Sequence, residues 1–246
     1  MSLPFFVHEG AARLEVGAEV ELAGDEGRHA SVVRRVRAGE KVVLTDGVGA
    51  TAICTVTGTD RSTLTARVDE LVVHPAEEPH VTVVQAIPKG ERAELAIEML
   101  TEVGVDVIVP WSAERCVSVW RGDRAARSLA KWRATAREAA KQARRAHFPE
   151  ITELASTEAV AALLAEASVP VVLHEAASGP IGNLPIPGRG TIVVVVGPEG
   201  GISETELATF AMTGAEPVRL GSSVLRTSTA GVAAVAALLA RTRRWG

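Results

Sequence analysis

The chain has 246 residues, of which 47% are hydrophobic and 23% charged, enough for one large domain or two small ones around a buried core. Aromatics make up only 3% and Tyr is absent, so the core must be aliphatic, and single-strand binding on aromatic stacking platforms is disfavoured. The net charge of −4 speaks, taken alone, against a nucleic-acid partner. Cys54 and Cys116 form no CxxC pair and the six histidines never fall in ligand spacing, so reduced thiols and no metal are expected.

Residues 1–73 read as all-β. Short runs at Glu19–Leu22, Lys41–Leu44, Ala52–Val56 and Leu64–Val68 are separated by turn signals such as Ala38-Gly-Glu40 and Asp46-Gly47. Even spacing of short strands predicts a small β-barrel. Glu26–Val36 is a short helical candidate that carries Arg28, His29, Arg34 and Arg35. These four read either as a solvated face or as an edge that touches RNA. The N-terminus has neither a basic leader nor a long apolar core, so no signal peptide is expected. His74–Pro79 is bounded by proline, and 74–80 is the expected linker.

From 81 to 246 strands alternate with helices, which predicts an α/β domain with a parallel, helix-covered sheet. Strands are expected at Val81–Ile87, Val105–Val109, Val169–Leu173, Ile192–Val196 and Pro217–Leu220. Helices are expected at Arg92–Val103 with Leu95 among its inward residues, at Arg124–Arg145 with Ala143 inward, at Thr157–Glu166, at Glu204–Met212 and at Thr229–Arg241. Ile192–Val196 lacks polar alternation, as a strand buried on both faces would. Ser203 and Glu206 form a capping-box pattern just beyond it. The run at Val232–Ala240 is too short to span a bilayer, so a cytoplasmic protein without a membrane partner is expected.

Two glycine-bearing loops stand at strand ends, Gly197-Pro-Glu-Gly-Gly201 and Leu220-Gly-Ser-Ser223. Such loops hold cofactors in α/β sheets, although the first taken alone is equally a tight strand-to-helix turn. No GxGxxG follows the first strand of the second domain, and GxxxxGK[ST] and GxSxG are absent, which disfavours dinucleotide enzymes, P-loop NTPases and serine hydrolases. Charge is unevenly spread. Between Pro110 and His147 lie ten Lys/Arg and three acids. A solvated helix face is one reading of that excess, and a nucleic-acid surface is the other.

Val196-Gly-Pro-Glu-Gly-Gly-Ile-Ser-Glu-Thr-Glu206 together with Leu220-Gly-Ser-Ser-Val-Leu-Arg-Thr-Ser-Thr-Ala230 resembles the signature of the RsmE family, SPOUT-class methyltransferases acting on uridine in small-subunit ribosomal RNA. Pro88-Lys-Gly-Glu-Arg92, Ile97–Asp106, Glu114-Arg115, Glu138–Arg144 and His29–Gly47 agree with it, so the resemblance covers nearly the whole chain. The pattern departs at Ser228, at Ala143 and ahead of Phe5.

The resemblance implies a PUA-like β-barrel followed by a SPOUT domain with a C-terminal trefoil knot, in a homodimer. It implies transfer of a methyl group from S-adenosylmethionine to N3 of a uridine in 16S rRNA, at the family's position 1498. Leu173, His174, Gly197, Pro198, Glu199, Gly200, Leu220, Gly221, Val224, Leu225, Thr227, Thr229 and Ala230 would line the cofactor. Arg226 would stabilise the uracil anion, and Glu199 is the carboxylate nearest the loops. RNA phosphates would meet Arg115, Arg124, Arg127, Lys131, Arg137, Lys141, Arg144 and Arg145, along with Arg28, His29, Arg34 and Arg35. A ribose 2′-O-methyltransferase of the same class and a non-catalytic ribosome-assembly factor are the alternatives.

Overall fold

The structure of the chain, a computed structural model, describes residues 3–90 and 92–246. Met1 and Ser2 of the N-terminal start, and Glu91 of the Pro88–Arg92 turn, lie outside the described residues. Contacts divide the chain into two units, 1–76 with 140–148, and 77–139 with 149–246. The short segment 140–148 therefore packs with the N-terminal unit, which a linear boundary at 74–80 does not anticipate.

The first unit is built on β1 (Phe5–Val7), β2 (Glu19–Leu22), β3 (Lys41–Thr45), β4 (Ala50–Thr59) and β5 (Leu64–Val73). They form one sheet in the order β1-β3-β4-β5-β2, antiparallel except for β1 on β3. β1 is too short for alternation to reveal it. Register shifts at Ile53/Cys54 and Val56/Gly58 bend β4, as bulges do. In place of a β1–β2 pairing, the carboxylate of Glu26 accepts a hydrogen bond from the Val7 N–H at 3.1 Å. Glu26 lies in α1 (Gly24–Arg28), which continues as a π-helical turn over His29–Val33. The segment then leaves the helix through Arg35, whose φ is +53°. Phe6, Leu22, Ala30, Val36, Leu44, Cys54 and Leu64 close one aliphatic core.

The second unit contains β6 (His80–Ala86), α2 (Arg92–Glu102), β7 (Val107–Trp111), α3 (Asp123–Gln142), β8 (Glu150–Ile151), α4 (Thr157–Glu166), β9 (Val169–Leu173), β10 (Gly179–Pro180), β11 (Thr191–Val196), α5 (Glu204–Ala211), β12 (Glu216–Arg219) and α6 (Thr227–Leu239). The strands form one parallel sheet in the order β10-β12-β9-β11-β6-β7-β8. Thus β11 enters between β6 and β9, which precede it in the chain. Ile192, Val194 and Val196 pack on one face with Ile97, Leu100 and Val235. Val193 and Val195 pack on the other with Val160, Leu164 and Phe210. The expected strand buried on both faces is therefore present at the centre of the sheet.

Several boundaries move for local reasons. β7 starts two residues later than expected and carries Pro110 near its end, a residue that depresses any strand signal. α3 stops at Gln142, and Arg144 follows with φ +56°. Ala143 is consequently exposed and not inward-facing, and Leu95 of α2 is 46% exposed because Ala93, Ala96, Ile97 and Leu100 supply the buried face. α6 starts at Thr227, with the Arg226 carbonyl accepting from the N–H groups of Thr229 and Ala230. No helix among the described residues is long and apolar enough to cross a membrane.

The C-terminal residues are fastened to the sheet by Arg244, whose side chain is 3% exposed. Its guanidinium donates to Asp106 Oδ2 at 2.7 Å, to the Gly104 carbonyl at 2.6 Å, to the Pro79 carbonyl at 3.0 Å and to Glu77 at 2.9 Å. Removing one side of a buried ion pair costs about 3–5 kcal/mol. Arg244→Ala is expected to lose about that much in urea unfolding, and a wild-type midpoint would contradict the role.

Burial, with Asp69 nearby, pushes the Cys54 thiol up to about 11, and burial also raises that of Cys116. A raised value means less thiolate at a given pH. At pH 8 only about one Cys54 in a thousand is the nucleophilic thiolate. Iodoacetamide at pH 8 should leave both cysteines unmodified in the native protein and modify both in urea, as read by intact mass. Rapid native labelling of Cys54 would disprove the shielding.

Candidate functional site

The carboxyl ends of three adjacent parallel strands, β9, β11 and β12, open on one cavity of about 320 Å³. Ligands of open α/β sheets bind at such strand ends, and small-molecule sites begin at about 300 Å³. The walls combine aliphatic side chains, Leu173, Val196, Val218, Leu220 and Leu225 among them, with the backbone of two loops and with Arg92, Arg219 and Arg226.

The first loop, 197–203, is held by its own packing. A Cβ on Gly197 would stand 2.7 Å from Ile202 Cγ1, and one on Gly200 would stand 3.0 Å from Arg115 Cβ. Gly201 has φ +74° and closes the turn by donating to the Pro198 carbonyl at 2.9 Å. These three glycines answer to the loop itself. The capping box forms as expected: Ser203 Oγ accepts from the Glu206 N–H at 3.3 Å, and Glu206 Oε2 accepts from the Ser203 N–H at 2.9 Å. Glu206 is only 3% exposed, and its Oε1 accepts from the Glu114 N–H at 2.8 Å and the Thr157 hydroxyl at 3.3 Å. One buried carboxylate thus joins three segments behind the loop, a role invisible in the capping pattern because its partners are distant in sequence.

Glu199 Oε1 accepts from the Lys89 N–H at 3.1 Å, so this carboxylate ties the 88–90 turn to the loop. Arg115 Nη1 donates to the Gly200 carbonyl at 3.3 Å from the other side. The second loop, 220–226, is more open. Nothing lies within 4 Å of where a Cβ on Gly221 would be, and Val224 is 78% exposed. Beneath it, buried Gln85 of β6 donates from Nε2 to the carbonyls of Ala86 at 3.0 Å and Thr227 at 3.5 Å, linking the start of α6 to the sheet.

Of the expected cavity residues, Leu173, His174, Gly197, Pro198, Glu199, Leu220, Gly221, Val224, Leu225, Thr227 and Ala230 line it, and so does Arg226. Gly200 and Thr229 do not. Gly200 turns onto Arg115, and the Thr229 hydroxyl donates back to the Arg226 carbonyl at 3.2 Å. His174 Nδ1 accepts from the Ala176 N–H at 3.2 Å, which makes it a strand-end residue satisfied by its own turn. Arg92, Glu175 and Arg219 were missed. Arg92 is about a hundred residues from the loops in sequence, and only the pairing of β6 with β11 brings it to the cavity.

Residues 76–239 match the RNA methyltransferase domain family, and residues 22–69 match the RNA methyltransferase PUA domain family. The ribosomal RNA small subunit methyltransferase E of Mycobacterium tuberculosis is 46% identical, over 94% of this chain and 90% of its own length. The chain belongs to the ribosomal RNA small subunit methyltransferase E family. Its relative from Bacillus subtilis is 26% identical over 95% of this chain and 94% of its own. Among solved structures, the family member from Neisseria gonorrhoeae bound to S-adenosyl methionine superposes with a TM-score of 0.87 at 30% identity, covering 97% of both chains. A Legionella pneumophila methyltransferase in complex with the same cofactor gives 0.88 at 26% identity, covering 98% of this chain and 99% of its own. Both halves of this RsmE-family chain thus have counterparts, and the family resemblance carried by the two loops holds.

The basic residues separate into groups. Arg28, Arg34, Arg35, Arg115, Arg124, Arg127, Arg137 and Arg144 are exposed. Lys131 pairs with Glu94 at 2.9 Å. Arg145 and His29 are half-buried, and the His29 ring meets Phe6 edge-on. Lys141 is a correction to the expected phosphate-contacting face. Its side chain is 2% exposed, and Nζ lies 2.8 Å from Glu26 Oε1, so it serves the interior of the N-terminal unit.

Glu206→Gln would place an amide N–H₂ against donors on a site that now accepts three hydrogen bonds. Bonds to a charged acceptor are worth about 1.5–3 kcal/mol each. The variant is expected to lose about that much stability in urea unfolding, and unchanged stability would show that the carboxylate is not the junction.

Proposed function

We propose that this chain transfers a methyl group from S-adenosylmethionine to N3 of a uridine in 16S rRNA of the small ribosomal subunit, in the cytoplasm. The observation that carries the reading is the cavity built by both glycine loops at the ends of β9, β11 and β12, in a chain whose relatives by structure include a family member and a second methyltransferase solved with this cofactor. The cavity fits the group: its walls are aliphatic, loop backbone is at hand to read a base, and the open space at Gly221 admits close approach. Leu173, Leu220, Val224, Leu225 and Ala230 would pack on it, with Gly197 and Gly221 contributing backbone. When bound, the cofactor supplies an electrophilic methyl on a sulfonium.

Uracil N3 carries a proton and becomes a nucleophile as that proton leaves. Charge then develops on the uracil ring, and the chain must meet it with fixed donors. Arg226 stands at the cavity edge on the N-cap of α6, with its guanidinium free of any hydrogen bond among the described residues. A planar donor fork suits the uracil carbonyl oxygens. Glu199, engaged with Lys89, positions the loop instead of taking the proton. Exposed Arg124, Arg127 and Arg137 on α3 offer phosphate contacts that set affinity and register.

The entry of β11 between two earlier strands supports a threaded, knotted C-terminal segment. Val224 and Leu225, exposed at the cavity mouth, support a homodimer in which a second copy covers them.

Nucleoside mass spectrometry of rRNA from a strain lacking the chain tests the reading. Loss of 3-methyluridine is expected, and loss of a ribose-methylated nucleoside would overturn it. Arg226→Ala should lower kcat roughly 100- to 1,000-fold, the scale for one transition-state donor. Its affinity for S-adenosylmethionine by calorimetry should stay within about twofold, because binding of the methyl donor precedes formation of the anion. An active variant would remove Arg226 from the mechanism.

A further inference from the structure

A second cavity, of about 170 Å³, lies wholly within the N-terminal unit. Three separate pieces of chain make it: residues 3–6 at the start of β1, His29 and Arg34 of the helical segment, and Lys141, Gln142 and Arg144 at and just past the end of α3. The residues that line it include Arg34, Lys141, Arg144 and His29, and no Asp or Glu. Glu26 of α1, the partner of Lys141, is held by Lys141 Nζ at 2.8 Å through one oxygen and by the Val7 N–H at 3.1 Å through the other. Lys141 and Glu26 therefore offset each other, and Arg34 with Arg144 leaves an excess of two positive charges.

Neither guanidinium makes a hydrogen bond or ion pair among the described residues. Arg144 is also held where a glycine would be easier. It follows the end of α3 with φ +56°, fixed by its own N–H to the Lys141 carbonyl at 3.2 Å and by the Arg145 N–H to the Ala140 carbonyl at 2.9 Å. Helices end most readily there with glycine, because a Cβ is strained in the left-handed region. Among the described residues, no hydrogen bond or ion pair holds its side chain at that point.

We infer that this cavity seats one phosphodiester group of the RNA strand, apart from the nucleotide that reacts. Paired guanidinium groups match the geometry and charge of phosphate oxygens. Volume favours a single group over a free nucleotide, since small-molecule sites begin at about 300 Å³. The inference rests on the RNA methyltransferase reading. It makes the N-terminal unit a register-setting clamp on the RNA backbone, built in part from the end of α3 and the residues just past it.

The test compares three forms of the full chain: wild type, Arg34→Gln/Arg144→Gln, and Arg13→Gln/Arg61→Gln, which removes two exposed charges of the same unit that do not line the cavity. Binding of a small-subunit rRNA fragment is followed by fluorescence anisotropy over a salt series, and S-adenosylmethionine binding by calorimetry. The cavity variant should bind RNA roughly tenfold more weakly. Its log–log salt slope should be shallower by about 0.7–0.9, one phosphate contact. Cofactor affinity and thermal unfolding should match wild type, and the control pair should lose less than about twofold. Equal losses in both pairs, or none in the cavity variant, would overturn the inference while leaving methylation by the wild type intact. Absence of RNA binding by the wild type would overturn both readings. Inorganic phosphate titrated alone should give no saturable heat. Saturable binding lost in the cavity variant would assign the cavity to a free anion and overturn the RNA seat.

Discussion

β11 is hydrogen-bonded along both edges and packed on both faces, and the other parts of the second unit take their places from it. Its five aliphatic side chains from Ile192 to Val196 are at most 2% exposed. Fully burying each contributes about 1.5–3 kcal/mol, so the strand accounts for about 10 kcal/mol, comparable with the whole net stability of a domain. A segment of that weight cannot shift to suit a ligand. The loop that leaves it at Gly197 is therefore rigidly placed, and Glu206 and Arg115 fix its far side.

The two loops of the site differ in kind. The 197–203 loop is a packed, cross-linked turn whose glycines make room for Ile202 and Arg115. The 220–226 loop is exposed, with Gly221 facing open space and Arg226 at its end. One loop supplies a fixed wall and the other a surface that a ligand or second chain can complete. Glu199, which lines the cavity along with Glu175, belongs to the fixed wall, which makes it a poorer candidate for chemistry than Arg226.

Basic residues also divide by environment. The excess of Lys/Arg after Pro110 reads in sequence as one helix face, but the last residues of α3 from 140 on, and those that follow to 148, join the N-terminal unit. Lys141 is buried against Glu26, whereas Arg144 stays exposed at the rim of a cavity that also contains Arg34. Charges equivalent in a helical wheel thus become an interior ion pair and a surface pair of cations.

The α/β class, the parallel sheet, the strand at 191–196, the capping box at Ser203 and the two glycine loops were all legible in the sequence. Each rests on local pattern: an unbroken apolar run, a cap three residues from its partner, glycines at strand ends. Tertiary structure alone decided that β11 enters between β6 and β9, because strand order depends on pairings across a hundred residues. It alone brought Arg92 to the cavity, turned Gly200 and Thr229 away from it, and made Glu206 a junction for Glu114 and Thr157. It also separated Lys141 from Arg144, since the burial of a charge is set by what the rest of the chain packs against it and not by its neighbours in sequence.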